Sequence, residues 1–345
     1  MTLRTGLLML PTLEPARLAD LASVAEDLGY DDFWLADERF FREVYACLTA
    51  CALRTRRIRL GPCVTDPYSR HPALTAMAIA TLDEISRGRA LLGMGAGVSG
   101  FRELGIDASR SAVALREAAA LIRRLLAGET VSVKGREISF TEGRLDFTPA
   151  RADLPIYIAS QRAAGCRVAG RVADGAIMQG ALAPPIVNFL KDTVQGAARE
   201  AGRDPARIAL VARLNVCVHD DRAAARDVMR PTIVRSLSAQ RPDFFTFATA
   251  GLTVPAALRE GVLALPYTHD PAPLRALAPE VPDAFVDACT LTGPPDVIAP
   301  EVVRLARSGI TEVVIYPLAV EGRIETTIER FQADVMPRVR RELAS

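Results

Sequence analysis

Residues 58–97 read IRLGPCVTDPYSRHPALTAMAIATLDEISRGRALLGMGAG. Two apolar runs, at 58–64 and 90–94, flank a helical pattern at 73–85. The apolar runs lack polar alternation, as expected for parallel strands that are buried on both faces. The stretch therefore predicts a strand, a helix and a second strand, which together form one βαβ unit.

The same alternation of short apolar runs and longer amphipathic runs continues along the chain. It predicts further strands at 5–10, 32–36, 155–159, 175–179, 208–218 and 312–316, and helices at 14–28, 41–54, 109–126, 163–172, 185–201 and 295–308. Eight strands alternating with helices over 345 residues predict an α/β fold, a (β/α)8 TIM barrel that forms a single domain over residues 1–345. An open doubly wound sheet is the alternative, but the first strand runs into Pro11 instead of a glycine-rich dinucleotide turn.

Two stretches interrupt the alternation. Residues 130–149 contain two short alternating segments around Gly135, which predict a small hairpin. Residues 222–294 are proline-rich and mostly helical, and we interpret them as an insertion between strands seven and eight. Such an insertion either shapes a substrate pocket or is a helical appendage or oligomer contact.

Composition excludes several classes of function. Forty-two Lys and Arg residues against 41 Asp and Glu give a net charge of +1, so there is no charge argument for nucleic acid or an anionic membrane. No apolar run reaches the roughly 18–20 residues of a membrane helix. Six cysteines without a CxxC pair indicate a reducing cytoplasm, and three histidines are too few to predict a metal site. The expected partner is a small-molecule substrate.

In a barrel of this kind, the chemistry lies at the carboxyl ends of the strands. Several of these ends are rich in glycine or hydroxyl groups, and exposed backbone N–H groups there can bind an anion or a phosphorylated cofactor. The glycine-rich run GMGAGVSG at 93–100 is equally typical of an ordinary tight turn. The strand ends give these candidates: Met9; Asp37 and Glu38; Cys63, Val64, Thr65 and His71; Gly95, Ala96 and Gly97; Ser160, Gln161 and Arg162; Gln179, Gly180 and Ala181.

The residues at 61–97 resemble the bacterial luciferase-like flavin oxidoreductases, in particular the branch that contains methylenetetrahydromethanopterin reductase. The resemblance continues through LPIYIASQ (154–161), AGRVADGAIMQG (169–180) and GPPDVIAPEVVRLARSGITEVVIYP (293–317). It covers most of residues 1–220 and 290–340 but not the insertion.

The resemblance implies a barrel that binds FMN or coenzyme F420 at its open end. A bulge after strand three, with a non-prolyl cis peptide at Cys63–Val64, would support the ring beside Thr65. The loops after strands four, five and six, at 95–97, 160–162 and 179–181, would hold the tail and phosphate. The implied activity is hydride transfer to or from a small organic substrate, or an FMN-dependent monooxygenation. A homodimer formed through the helix at 41–54 is also implied.

Three departures from the family pattern concern the site, and one of them is the absence, after strand six, of a Lys that some users of coenzyme F420 favour. Many relatives have Asp-His after strand two, where this chain has Asp37-Glu38. Either Glu38 takes the acid/base role, or the substrate differs, or the step is lost; a salt bridge to Arg39 is the alternative interpretation of Glu38. After strand five, Gln161-Arg162-Ala163 replaces Gly-Pro-Lys.

We therefore predict Asp37 and Glu38 as catalytic groups and Met9 and His71 as substrate contacts, although His71 could simply begin a helix. The sequence leaves two other functions open. One is a non-catalytic flavin-binding barrel, and the other is a cofactor-free barrel enzyme acting on a phosphorylated substrate.

Overall fold

The computed structural model describes residues 3–97 and 99–345, so Val98 of the glycine-rich run lies outside the described residues. The strands are β1 (Arg4–Met9), β2 (Asp32–Leu35), β3 (Arg59–Pro62), β4 (Leu92–Gly95), β5 (Val131–Lys134), β6 (Ser139–Gly143), β7 (Ile156–Ala159), β8 (Gly175–Gln179), β9 (Ala209–Val218), β10 (Thr290–Gly293) and β11 (Glu312–Pro317). The helices are α1 (Pro15–Asp27), α2 (Val44–Arg54), α3 (Pro72–Ser86), α4 (Phe101–Leu104), α5 (Ser111–Leu126), α6 (Ala163–Val172), α7 (Pro184–Glu200), α8 (Arg222–Ala239), α9 (Phe245–Thr249), α10 (Ala256–Ala264), α11 (Pro271–Leu277), α12 (Asp283–Cys289), α13 (Pro295–Arg307), α14 (Ile324–Arg330) and α15 (Met336–Ala344).

The main sheet has the strand order β3-β2-β1-β11-β9-β8-β7-β4, and β10 pairs with β9. The pairs β2–β3, β4–β7, β7–β8, β1–β11 and β9–β11 are all parallel. Single bridges from Leu60 to Ala90 and from Thr65 to Met94 bring β3 beside β4 and nearly close the sheet. The predicted (β/α)8 barrel is confirmed, and its eight strands are β1–β4, β7, β8, β9 and β11.

The hairpin and the insertion that were predicted from the sequence are both present, and only the end of the insertion differs from the prediction. Strands β5 and β6 form the predicted antiparallel hairpin. Between β9 and β11, helices α8–α12 pack around an apolar cluster that includes Phe244, Phe247 and Phe285. The insertion does not end as a helix, because Thr290–Gly293 forms β10, parallel to the end of β9. A run as short as TLTG has too few apolar residues to indicate a strand from sequence.

The contacts divide the chain into two compact units. The first unit comprises Leu8–Ile177 and Asp192–Ala209, and it contains β2–β7 and most of β8. The second unit comprises Met1–Leu7, Met178–Lys191 and Leu210–Ser345, and it contains β9–β11 and the insertion. The prediction of a single domain stays a prediction.

Helix α3 shows how local sequence positions the strand ends of the first unit. It begins at Pro72, and the side chain of His71 accepts a hydrogen bond from Ala73 N at 3.2 Å. Near its end, the buried Asp83 accepts a hydrogen bond from Ala90 N at 3.0 Å and forms a bidentate ion pair with Arg151 at 2.8 and 2.9 Å. These bonds fix the chain just before β4 begins.

Within residues 3–97 and 99–345, no helix is both long and apolar enough to cross a bilayer. None of the six cysteines forms a disulfide bond, and five of them are buried. Cys63 is the exception, because it is half-exposed at the end of β3.

Candidate active site

Asp37 lies in the loop after β2, is largely buried, and has one carboxylate oxygen, Oδ1, without a partner among the residues that the structure describes. Thr65 Oγ1 donates a hydrogen bond to Asp37 Oδ2 at 2.7 Å, and the Asp37 side chain keeps 14% of its surface exposed. Burial raises the pKa of Asp37 above its ordinary value, and the Thr65 hydroxyl and the cations of Arg70 and Arg39 offset this only in part. A carboxyl group with a raised pKa is suited to hold a proton and to transfer it.

The surroundings of Asp37 include Arg70 and Tyr45. Arg70 Nη2 lies 3.9 Å from Asp37 Oδ2 and 2.8 Å from Glu43 Oε1, and the guanidinium lies over the Tyr45 ring at 5.0 Å. Burial also raises the pKa of Tyr45, so its phenol stays protonated. Tyr45 and Arg70 can therefore both donate hydrogen bonds near Asp37.

Arg39 connects the same loop to the loop after β3. Its Nη2 forms an ion pair with Asp66 Oδ2 at 2.7 Å, and its Nη1 donates a hydrogen bond to the main-chain oxygen of Asp37. Both side chains are buried, with 8% of Arg39 and none of Asp66 exposed. Glu38, the second predicted catalytic residue, is half-buried between Asp37 and Arg39.

The bulge after β3 has the predicted backbone geometry. The Cys63–Val64 peptide bond is cis, which confirms that part of the prediction. Leu60, Gly61 and Pro62 are buried, whereas the side chains that follow, Cys63 and Val64, are half-exposed. The chain thus turns from the core toward open space at this bond.

The loop after β4 lies directly against this bulge. A Cβ on Gly95 would stand 2.5 Å from Val64 Cγ2, so only glycine leaves room for the Val64 side chain there. Gly97 adopts a left-handed φ of +69°. Ala96 and Gly97 are both half-exposed, and Gly95 is buried beneath them. The loop thus presents main chain to the open space beside the bulge.

The loop after β7 is organised by Ser160. The Ser160 hydroxyl donates to Arg162 O and accepts from Arg162 N, both at 3.0 Å, and this turn leads into α6. Ser160, Gln161 and Arg162 are all half-exposed. Their predicted role in holding a phosphate stays a prediction.

Three of the predicted residues lie in the second unit, after β8. Gln179 is exposed, Gly180 adopts a φ of +61°, and Ala181 is fully buried. Gly180 N donates to Arg213 O at 2.9 Å, so this N–H is already used by β9. Cofactor contacts by these residues stay predictions.

Of the two predicted substrate contacts, Met9 is buried and His71 makes hydrogen bonds within the protein. Met9 is only 4% exposed, which leaves little side-chain surface for a substrate. Because Ala73 N donates to His71 Nδ1, the proton of the neutral ring is on Nε2, which lies 3.1 Å from Ser139 O on the hairpin. The alternative interpretation of His71 as a helix start is confirmed, and both substrate roles stay predictions.

Buried donors without a partner test whether this region fits a polar ligand. Within the described ranges, four such atoms lie in the loops after β2 and β3 or in the first turn of α2: Arg39 Nε, Tyr45 Oη, Tyr68 Oη and Arg70 Nε. Buried donors are ordinarily paired, so a local concentration of unpaired ones indicates a place for a bound acceptor or ordered water. Among the same described residues, no group of three His, Cys, Asp or Glu side chains could hold a metal.

Sequence reasoning missed the Arg39–Asp66 pair and the Tyr45–Arg70 stack. Asp37-Glu38-Arg39 reads as a solvated polar cluster, and nothing in it indicates that Arg39 is buried against a residue 27 positions later. The one available signal was Asp66 itself, an acidic residue directly after a buried strand.

Known proteins resemble this chain both in sequence and in structure. The family model described as luciferase-like monooxygenase matches residues 3–312. The chain is 33% identical over 315 residues to 5,10-methylenetetrahydromethanopterin reductase of Archaeoglobus fulgidus, covering 90% of this chain and 92% of the relative. It is 31% identical over 265 residues to phthiodiolone/phenolphthiodiolone dimycocerosates ketoreductase of Mycobacterium tuberculosis, covering 75% of this chain and 69% of that one.

A solved structure matches over nearly the whole chain. It is the coenzyme F420 dependent tetrahydromethanopterin reductase from Methanopyrus kandleri, with a TM-score of 0.86 and 26% identity. The match covers 98% of this chain and 100% of that one.

Proposed function

The chain belongs to the luciferase-like monooxygenase family and is an oxidoreductase of flavin type, and from this we propose that it transfers hydride between coenzyme F420 and a small organic substrate. FMN is the second candidate cofactor. The F420 proposal is supported by the similarity to the coenzyme F420 dependent reductase of Methanopyrus kandleri, because that match covers both chains almost completely.

The observation that carries the proposal is the arrangement around Cys63 and Val64 in the first unit. A half-exposed bulge follows a buried strand, with the Gly95–Gly97 main chain on one side and Asp37 nearby, linked to it through Thr65. A flat ring needs an apolar surface with close main-chain approach, and the bulge and the glycine loop offer both. We assign the ring system of the cofactor to this place.

We further propose that the substrate carries a polar C=O or C=N bond. This is supported by the two relatives, one of which is a 5,10-methylenetetrahydromethanopterin reductase and the other a ketoreductase. A bound cofactor of this kind, in its reduced form, would supply the hydride and the two electrons that the substrate carbon takes up. Reduction of such a bond also needs one proton on oxygen or nitrogen.

In this proposal the proton comes from Asp37. Its Oδ1 atom has no partner among the described residues, while Thr65 holds Oδ2 and so fixes the orientation of the carboxyl group. Burial raises the pKa of Asp37, which favours the protonated form of this carboxyl group. Tyr45 and Arg70 contribute donors that stabilise negative charge left on the carboxylate after transfer.

Titration with oxidised F420 and with FMN tests the proposal. The absorbance and fluorescence of each cofactor are followed at constant protein, and the expected result is saturable binding of F420 that is tighter than that of FMN. Reduced, oxygen-free complexes are then mixed with aldehydes, ketones and methylene-tetrahydropterins, and reoxidation of the cofactor is expected with one class. Tighter binding of FMN would reverse the cofactor assignment, and binding of neither would contradict the proposal.

We also propose a cytoplasmic homodimer. The cytoplasmic assignment is supported by six cysteines that are all in the thiol form, without a disulfide bond. The dimer is supported by exposed apolar side chains on neighbouring helices, Leu53 on α2 and Leu74 and Met77 on α3. A monomeric mass in solution would contradict the dimer.

A further inference from the structure

Arg39 contacts the loops that follow three successive strands. Its guanidinium binds the main-chain oxygen of Asp37 after β2 and the carboxylate of Asp66 after β3. It also lies over the ring of Phe101, in the helix after β4, at 5.2 Å. One side chain thus connects three segments that are distant in sequence.

Asp66 is itself fixed by its own loop. It accepts hydrogen bonds from Tyr68 N and Ser69 N, both at 2.8 Å, and from the Ser69 hydroxyl at 2.6 Å. With the ion pair to Arg39, both carboxylate oxygens are engaged. The carboxylate therefore holds Arg39 against a turn that is rigid.

The glycine loop after β4 lies against the Arg39 side chain. A Cβ on Gly97 would stand 2.6 Å from Arg39 Nη2 and 2.9 Å from Phe101 Cζ. A Cβ on Gly100 would stand 2.6 Å from Arg39 Cβ. The main chain at Gly97 and at Gly100 therefore lies directly against this arginine, and glycine is required at both positions because the contact is so close.

We propose that Arg39 is a positioning residue of the oxidoreductase site, which holds the Gly95–Gly97 loop and Asp37 in the arrangement that binds the cofactor. The inference rests on the proposed function for the identity of the ligand. Arg39 acts through the loop and through Asp37, and it is not itself a catalytic residue. The ion pair with Asp66 serves to orient Arg39.

If the ion pair between Arg39 and Asp66 only stabilised the fold, a different experimental result would be expected. Buried ion pairs often add little net stability, because desolvation of both charges offsets their attraction, and an apolar pair of similar size can replace them. If Arg39 and Asp66 only filled space, such a replacement would keep the cofactor site intact. If Arg39 positions the loop, the replacement would restore folding but not binding.

The test compares single variants with the apolar double variant. Arg39→Met and Asp66→Leu each leave one buried charge unpaired, and both should unfold more readily than the wild type. The double variant Arg39→Met/Asp66→Leu should recover, in urea unfolding, the part of the lost stability that comes from an unpaired buried charge, but not the part that comes from the hydrogen bonds that Asp66 accepts from Tyr68 N, Ser69 N and the Ser69 hydroxyl. Its Kd for F420 or FMN, measured by fluorescence titration, should nevertheless be about tenfold or more above that of the wild type, a factor worth about 1.4 kcal/mol.

Two further readouts do not depend on the cofactor. Amide hydrogen exchange at residues 95–101 should be faster in the double variant, because the loop has lost its contact. Carboxyl NMR titration of Asp37 should show opposite changes in the single variants. Arg39 lowers the pKa of Asp37 and Asp66 raises it, so Arg39→Met should raise that pKa and Asp66→Leu should lower it.

The matched control is Arg102→Met, in the same segment. Arg102 is 81% exposed and pairs with Glu103, so this variant should match the wild type in every readout. A double variant with wild-type Kd and wild-type exchange at 95–101 would overturn the inference. If the wild type binds neither cofactor, the proposed function fails, and the exchange data still decide whether Arg39 holds the loop.

Discussion

Replacing Asp37 with asparagine should lower kcat by about 10²- to 10⁴-fold, the usual contribution of a positioned acid or base. Asparagine keeps the shape of the side chain and can still accept from Thr65, but it has no proton to give. The Kd of the cofactor should stay unchanged. Steady-state kinetics with the substrate class found in the screen, together with a cofactor titration, would measure both quantities. Glu38→Gln is the comparison, because equal or larger loss there would move the proton role to Glu38.

The pH dependence of stability provides an independent check on Asp37. A carboxyl group whose pKa is raised in the folded state binds its proton more tightly there than in the unfolded chain. Protonation of Asp37 therefore favours the folded state fully below the unfolded-state pKa, near 3.9. This stabilisation is lost as the pH rises through the pKa of Asp37 in the folded state. Asparagine does not ionise, so Asp37→Asn keeps an uncharged side chain at every pH. The variant should therefore be more stable than the wild type at neutral pH. The difference should vanish below about pH 4. A variant that is less stable at neutral pH would contradict the raised pKa.

Replacing Gly95 with alanine should weaken cofactor binding by about tenfold or more, equivalent to about 1.4 kcal/mol. The new methyl group would stand 2.5 Å from Val64 Cγ2, and it would push this side chain toward the space assigned to the ring. Valine is stiff at χ1 and cannot easily rotate away. Overpacking of this kind should also lower the free energy of unfolding by about 1–3 kcal/mol.

Gly196→Ala is the matched control for Gly95→Ala. Gly196 lies in α7, and a Cβ there would meet no atom within 4 Å. Alanine favours a helix interior over glycine by about 1 kcal/mol, so this variant should be as stable as the wild type or more so. Its cofactor Kd should not change. Wild-type affinity in Gly95→Ala would show that the bulge and the glycine loop do not bind the ring.

The sequence was informative where the pattern of burial is simple. Strands β3 and β4 are buried along all or most of their length, and the mostly apolar runs that contain them identify them without any long-range information. The positions of the strand ends follow from the barrel order, which is why Asp37, Cys63 and Gly95 could be named in advance. The cis bond at Cys63–Val64 was accessible only through the family resemblance, since no local rule indicates a non-prolyl cis peptide.

Interactions between distant segments could not be predicted in the same way. Arg39 is charged and follows two acidic residues, a pattern typical of solvent, yet its side chain is buried against Asp66. Its burial depends on how the loops after β2, β3 and β4 meet, and periodicity carries no information on that. The same applies to the stacking of Arg70 on Tyr45, which joins the loop after β3 to helix α2.

The central claim, that the ring of the cofactor lies over the Cys63–Val64 bulge, can be tested by alkylation of cysteine. Cys63 is half-exposed, whereas the other five cysteines are buried. Burial raises the pKa of Cys51, Cys166 and Cys289 to about 12, which further lowers their reactivity. Mass spectrometry after brief treatment with iodoacetamide should find one label on Cys63 in the free protein, and saturating F420 or FMN should suppress it. Unchanged labelling of Cys63 at saturating cofactor would contradict the account.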